Sequence, residues 1–302
     1  MKEVSEILRA VSGFGDSEQG ILATVIDVRG SGYRLPGARM LMLADGETFG
    51  TVSGGCLEAD VLTRAKKVLE SGRAEVFTYD TTADENSVFS LNMGCRGITQ
   101  IRLEPVGKDS DVIAKMRAAY ENRKASDGFD PPVAILLFGA GADAVPMVRI
   151  ASELGWQITI HDHRPAFLTS ERFPSAQKLV LQPVDEPLGE MVADNLTAAV
   201  IMTHHYARDR FILPALLRSG VFYIGVLGPK RRTEQLLEEL AAEDHAFNVE
   251  QRANLYAPVG LDIGADTPES IGLSIVAEIQ SVLKHRGGGP LRARDAPIYD
   301  RK

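Results

Sequence analysis

The segment Gly139-Ala140-Gly141-Ala142-Asp143-Ala144 carries the sharpest local chemistry in the chain. It matches the G-x-G-x-x-G/A fingerprint with alanine in the third place. In that pattern the glycines let the backbone approach a pyrophosphate, which rests on the N-terminus of the following helix. Asp162 follows roughly 20 residues later, the spacing of a ribose-binding acid. Arg164 beside it would instead meet a 2′-phosphate. Asp143 works against this reading, because an acid inside the loop repels phosphate. The bland alternative is a tight strand-to-helix turn that binds nothing.

Two further segments, Thr203-His204-His205-Tyr206-Ala207-Arg208-Asp209 and Gly225-Val226-Leu227-Gly228-Pro229-Lys230-Arg231-Arg232, are expected to reach the same crevice. Gly228 followed by Lys230 and Arg231 at a helix N-terminus suits an anion. His161, His163, His204 and His205 invite a metal reading. Neighbouring histidines on a strand point to opposite faces, however, and no matching carboxylate–histidine helix is present. Solvent-facing or hydrogen-bonded histidines are the alternative, and no metal site built from protein alone is expected. Cys56 stands at the predicted start of a helix, where end amides favour a thiolate able to act as a nucleophile or soft-metal ligand. Glu58 opposes part of that effect. Cys95 lies between Gly94 and Arg96, again beside a turn residue and a positive charge. Either cysteine alone would otherwise be a small buried hydrophobe. The glycine- and proline-rich loop 30–37 carries Arg34 and leads to Arg39, read either as backbone held close to a ligand or as a wide hairpin turn.

The elements that must position these residues follow from periodicity. Val4, Ile7, Leu8 and Val11 predict an amphipathic helix. Strands are expected at Ile21–Val28, Arg39–Leu43, Thr48–Val52, Ala74–Tyr79 and Ile98–Pro105, with a helix over Leu57–Ser71. Asp45-Gly46 marks a hairpin. A charged helix over Asp111–Lys124 and the pair Pro131-Pro132 form a connector. Beyond it, strands at Val133–Gly139, Gln157–His161, Ala198–Thr203 and Val221–Leu227 alternate with helices at Ala144–Leu154, Arg210–Ser219, Thr233–Glu243 and Pro268–Lys284. The expected fold class is α/β: an N-terminal mixed α+β domain (1–108), a linker (109–131), a Rossmann-like doubly wound parallel sheet (132–286) and a flexible tail (287–302).

The 302 residues are 44% hydrophobic and 25% charged, an ordinary globular mixture long enough for two domains. The formal net charge of −8 opposes nucleic-acid binding. Apolar runs are too short for a membrane span, and acids occupy the place of a signal-peptide core, so a cytoplasmic protein is expected. Two cysteines make neither a disulfide scaffold nor a four-cysteine zinc site.

Taken together, these segments resemble the XdhC/CoxI family, accessory proteins for xanthine dehydrogenase and related molybdenum hydroxylases. The first half of the resemblance rests on Gly30-Ser31, Arg34, Pro36-Gly37-Ala38-Arg39-Met40, Gly50, Gly54-Gly55-Cys56-Leu57-Glu58 and Met93-Gly94-Cys95. The second rests on Phe138-Gly139-Ala140-Gly141, Asp162-His163-Arg164-Pro165, Thr203-His204, Asp209, Tyr223-Ile224-Gly225, Leu227-Gly228 and the run Ala257–Ala265, continued by Thr267-Pro268-Glu269 and Ser274–Ile279. Arg96 departs from the family turn, which usually reads Gly-Cys-Gly-Gly, and His205 adds a second histidine, so only His204 is carried over.

The resemblance implies a protein that binds molybdenum cofactor (molybdopterin), supports its sulfuration by a cysteine desulfurase and delivers it to an apo-xanthine dehydrogenase or related hydroxylase. It is then a maturation factor rather than a turnover enzyme. Cys56 would be a ligand of the cofactor molybdenum or a sulfur acceptor, with Cys95 as second thiol. Gly139, Gly141, Gly228, Lys230 and Arg231 would hold the phosphate, Asp162 and His204 polar edges of the ligand, and Arg34 and Arg39 further contacts. Soft thiolates suit the metal end and backbone amides the phosphate end. Exposed edge strands in the small domain would allow a homodimer. An NAD(P)-dependent oxidoreductase, with His204 as its acid/base residue, and a pure docking adaptor are the competing readings.

Overall fold

The computed structural model describes residues 2–81, 97–126, 128–184, 193–243, 245–296 and 298. The chain divides into two compact units, Met1–Pro132 and Val133–Lys302.

In the first unit, β1 (Gly20–Gly30), β2 (Arg39–Met42), β3 (Thr48–Gly50), β4 (Glu75–Asp80) and β5 (Gly97–Val106) form an antiparallel sheet in the order β3-β2-β1-β5-β4. Alternation along β1 explains its two covers. Ile21, Ala23 and Val25 face α2 (Glu58–Ser71) through Val61, Ala65 and Val68. Leu22 faces the other way and joins α1 (Lys2–Ser12) and α3 (Asp111–Glu121) through Ile7, Val11, Ile113 and Met116. Each large apolar side chain among these, fully buried, contributes about 1.5–3 kcal/mol. A bulge between Val25 and Asp27 re-aims the far end of β1. There Gly97 packs on it so closely that a Cβ would lie 2.2 Å from the Ser31 carbonyl oxygen.

The second unit is an all-parallel sheet of β6 (Ala134–Phe138), β7 (Gln157–Asp162), β8 (Lys178–Leu181), β9 (Thr197–Ile201), β10 (Tyr223–Val226) and β11 (Leu255–Tyr256), ordered β11-β10-β9-β6-β7-β8. Counted within the unit, this is the 3-2-1-4-5-6 order of a dinucleotide-binding sheet, so the topological switch falls between β6 and β9. α4 (Ala144–Glu153) and α7 (Pro268–Leu283) cover one face, burying Met147, Val148, Ile275 and Ile279 against Ile135, Leu137 and Val200. α5 (Tyr206–Leu217) and α6 (Lys230–Ala242) cover the other, burying Leu213, Leu216 and Leu236 against Phe138, Ile201 and Val226. The near-continuous apolar runs of β6 and β9 thus fill a sheet covered on both sides.

Most expected elements form within a few residues of their predicted bounds. β8 and β11 were not expected; each is four residues or fewer and only partly buried. α5 and α6 begin earlier than their hydrophobic stripes suggest, for reasons that belong to the site. Residues 291–293 form one turn of 3₁₀ helix.

The approach of α4 to α7 depends on Gly272, where a Cβ would lie 2.8 Å from the Met147 backbone nitrogen and 3.1 Å from its Cα. Alanine is the better helix former by about 1 kcal/mol, but seating it here separates two packed backbones, which costs about 1–3 kcal/mol. Gly272→Ala is therefore expected to lower the melting temperature in a thermal scan; an unchanged or higher value would show that the contact is loose.

Candidate functional site

In the first unit, Cys56 is exposed on the turn that leads from Val52 into α2. The turn is organised by Ser53 and Glu58. The Ser53 side chain accepts the amides of Gly55 and Leu57, both at 3.1 Å, and donates to the Glu58 carboxylate. The Cys56 thiol lies 3.7 Å from the same Ser53 oxygen. Glu58 also accepts the Ser53 amide at 3.0 Å and the Thr51 hydroxyl at 2.7 Å. Burial opposes the Glu58 charge, but these donors outweigh it and hold its carboxyl below the ordinary range. Glu58 is thus a partner of Ser53 and Thr51, a structural role its position beside the cysteine did not reveal. Gly55 has φ 101°, a conformation that favours glycine. Gly54 lies against the Tyr33 ring, where a Cβ would be 3.3 Å from Cγ. Cys95 lies outside the described residues.

The two loop arginines both have partners within the unit. Arg34 pairs with Glu3 at 2.6 Å. Arg39 is buried, donates to the carbonyls of Gly37 at 2.8 Å and Gly128 at 2.6 Å, and places its guanidinium 4.0 Å from the centre of the Phe129 ring. Burial lowers its pKa, partly offset by Glu3, Glu104 and Asp130. A separate groove of about 480 Å³ between α1 and α3, lined by Arg9, Arg117 and Tyr120 among others, includes none of the candidate residues.

In the second unit, the structure brings Gly139, Gly141, Asp162 and His204 together at the switch point. Gly139 has φ 115°, and a Cβ there would lie 2.3 Å from the Met202 carbonyl oxygen, so the exits of β6 and β9 touch. Gly141 faces open space. Asp162 is 1% exposed and fully engaged. It accepts the Ala140 amide at 2.6 Å, the Arg164 amide at 2.9 Å, and the Arg164 guanidinium through Nε at 2.9 Å and Nη2 at 2.8 Å. Burial works against its charge, but the Arg164 and Ala140 bonds prevail and hold its carboxyl far below the ordinary range. Arg164 in turn stacks 4.1 Å above Phe167. Arg172 lies by the same loop, 3.5 Å from the Gly141 carbonyl oxygen.

Asp143 caps α4 with its backbone, and its carboxylate meets His204 Nε2 at 3.3 Å. His204 has φ 53°, the left-handed region, which is uncommon for a non-glycine residue. Its turn is held by Thr203, whose hydroxyl accepts the His205 amide at 3.0 Å and donates to Asp209 at 2.5 Å. Asp209 is 1% exposed and paired with Arg232 at 2.7 Å. Burial pushes the Asp209 carboxyl up; Thr203 and Arg232 hold it part of the way back. His205 caps α5 by accepting the Arg208 amide. Arg208, also buried, reaches His163 at 2.7 Å and the Gln182 carbonyl at 3.1 Å. Charged residues inside the first turn of α5 thus hid its start, and Thr203, Arg208, Asp209 and Arg232 are the site residues that sequence reasoning did not assign. Their signal was a run of charges before an apolar helix.

At the end of β10, Gly228 has φ 128° and lies beside Arg232. Pro229 caps α6. Lys230 is exposed and within 3.7 Å of Glu234, whereas Arg231 is exposed with no partner among the described residues. His161 stacks on Phe138 with ring centroids 4.9 Å apart, and its Nδ1 is buried without a partner among the described residues. Among those residues, no group of three or more histidine, cysteine or acidic side chains is placed to hold a metal ion. No described helix is long and apolar enough to cross a membrane.

Residues 15–80 match the family model described as the XdhC and CoxI family, and residues 135–279 match the XdhC Rossmann domain. The chain is 30% identical to a probable xanthine dehydrogenase subunit of Bacillus subtilis, over 87% of this chain and 93% of the relative. It is 25% identical to the molybdenum cofactor insertion chaperone PaoD of Escherichia coli, over 93% and 89% respectively. A crystal structure described as a xanthine dehydrogenase from Bacillus halodurans superposes with a TM-score of 0.78 at 29% identity, covering 95% of this chain and 97% of the other.

His161 generates a pH prediction. Burial, then Lys178 and Arg208, depress its pKa to about 4. The unfolded imidazole titrates near ~6.5, so the unfolded state binds more protons between these values. The stability from neutral His161 is present above pH ~6.5 and is lost as pH falls toward 4, by about 3 kcal/mol. His161→Phe, which keeps a ring on Phe138, is expected to flatten the fall in melting temperature between pH ~6.5 and about 4, the window bounded by the two pKa values. Parallel curves for the two proteins would refute the assignment.

Proposed function

Because the chain belongs to the XdhC and CoxI family, we propose that it is a carrier that takes up molybdenum cofactor and delivers it to an apo-molybdenum hydroxylase of the xanthine dehydrogenase type. The observation that carries this reading is the exposed Cys56 thiol on a glycine-turned loop, with the neighbouring acid tied to Ser53 and Thr51. A molybdenum bound by dithiolene is a soft centre, and an accessible thiol is the side chain that suits it. The same sulfur would accept or relay sulfur from a cysteine desulfurase, the partner that sulfuration requires. The reading is further supported by similarity across most of the chain to a molybdenum cofactor insertion chaperone.

The second unit, taken by itself, carries donors suited to an anion. The cofactor's phosphate is a hard anion, and the open Gly141 with the loop amides that follow it offers donors without a Cβ in the way. Lys230 and Arg231 add exposed positive charge at the end of β10. An NAD(P)-dependent oxidoreductase has less support. Its ribose partner would be Asp162, and both oxygens of that carboxylate are already committed to Ala140 and Arg164.

The test is anaerobic purification from a molybdate-replete host, followed by oxidation and fluorescence assay of bound pterin, with wild type beside Cys56→Ala. Wild type is expected to retain pterin, and the variant to lose it at an unchanged melting temperature. Absence of pterin from both, together with saturable NAD(P)H binding, would replace the carrier by the oxidoreductase.

A further inference from the structure

Arg208 is 3% exposed, and its guanidinium meets no carboxylate within ion-pair distance among the described residues. Its acceptors are His163 Nδ1 at 2.7 Å and the Gln182 carbonyl at 3.1 Å. The two buried acids whose charges reach it, Asp162 and Asp209, are already paired with Arg164 and Arg232. A buried charge is ordinarily paired, because desolvation without a partner is costly. Arg208 is thus a cation whose counter-charge the described chain does not supply. His161, two residues before His163, is incomplete in the same way. It is 8% exposed, and its Nδ1 has no hydrogen-bond partner among the described residues. Burial first, then Lys178 and Arg208, hold its pKa down, so this orphaned ring lies within the field of the unmatched cation.

The bonds to Arg208 also fix two histidine tautomers. A guanidinium only donates, so His163 Nδ1 is the acceptor and the ring proton sits on Nε2. His205 Nδ1 accepts the Arg208 amide at 3.4 Å, which places its proton on Nε2 as well. The approach of His163 Nδ1 to Asp162 at 3.3 Å is therefore not a hydrogen bond. The two rings stand edge to face with centroids 6.0 Å apart. His205 is exposed and the His163 side chain is 26% exposed. The backbone at the start of α5 adds no free donor here, since the amides of Arg208 and Asp209 both bond the His205 carbonyl.

We propose that Arg208, His163 and His205 form a second anion site of this unit, one that takes the phosphoryl group of a small ligand. Arg208 supplies the charge, and the two Nε2–H groups supply accessible donors. A planar carboxylate suits the two-pronged fork of one arginine, but the fork of Arg208 is already divided between His163 and Gln182. A tetrahedral phosphoryl group suits single donors that arrive from several side chains. The site uses none of the glycine-loop residues, and it stands whether or not the chain carries molybdenum cofactor.

The test is thermal scanning and calorimetric titration of the full-length protein with inorganic phosphate, against sodium chloride at matched ionic strength. Wild type is expected to be stabilised by phosphate beyond the effect of chloride. Arg208→Met keeps the bulk of the side chain and removes its charge. Without phosphate it should melt at or above wild type, and it should bind phosphate about tenfold or more weakly. His205→Asn, which keeps a good cap for α5, should weaken binding at an unchanged melting temperature. With nitrogen-15 in the histidines, phosphate should shift the Nε2 resonances of His163 and His205 and leave those of His245 and His285 unmoved. Equal stabilisation of wild type by phosphate and chloride overturns the proposal. So does binding that both variants retain undiminished, which would put the anion elsewhere in the chain. A lower melting temperature for Arg208→Met with undiminished binding would make Arg208 structural and sink the idea as well. The carrier reading is unaffected by any of these results, because Cys56-dependent pterin retention is scored separately.

Discussion

Asp162 is an ionised carboxylate that water does not reach, and the carboxyl end of the parallel sheet is arranged around satisfying it. An unpaired charge in that position would cost several kcal/mol. The chain avoids this by folding Arg164 back onto the acid it nearly adjoins and by turning the Ala140 amide toward it. The second bond fixes the glycine loop: with Ala140 bound to β7, Gly139 must pass over the Met202 carbonyl, and only a residue without Cβ fits there. The path of the loop, the direction of α4 and the contact between the exits of β6 and β9 all follow from where that charge is placed. So does the loss of a free acid at the position where a dinucleotide ribose would look for one.

A second buried charge, Asp209, ties the neighbouring strand ends together. Its link to Thr203 fixes the turn after β9, and its link to Arg232 fixes the turn after β10. A buried ion pair of this kind is weak evidence for net stability, because desolvation offsets most of the attraction. Its effect is geometric: two loops from different strands are held by one carboxylate, and His204 stays in a backbone conformation it would not adopt freely. The ends of β9 and β10 are therefore held together, while Lys230, Arg231 and the His204 ring are exposed.

These dependencies explain what was legible from residues alone. β6, α4 and the loop between them were readable because an apolar run, a glycine pattern and a helical stripe agree within a short window. Arg39 was readable as a charged residue near glycines but not as a buried one, because one of the two carbonyls it serves, that of Gly128, lies 89 residues away, and the Glu3 partner of Arg34 is 31 residues away. Asp162 was recognised from spacing, yet spacing does not reveal that Arg164, two residues on, occupies it. The starts of α5 and α6 were misplaced because buried charges and a basic run precede their apolar stripes. Periodicity reports burial of apolar groups and is silent on polar groups that are buried in pairs.

The two units treat the acid beside their candidate handle in opposite ways. Beside Cys56, Glu58 is held by donors from Ser53 and Thr51, all within a few residues in sequence, and its charge is fully engaged in the turn. Beside the glycine loop, the Asp143 carboxylate meets the exposed His204 ring, a side chain from another strand end, at 3.3 Å. A charge satisfied by the local backbone is a constant of the fold. A charge that meets only an exposed side chain is screened by solvent instead. The Glu58 carboxylate is thus part of the scaffold of its own turn, whereas the Asp143 carboxylate accepts no hydrogen bond from its own loop among the described residues.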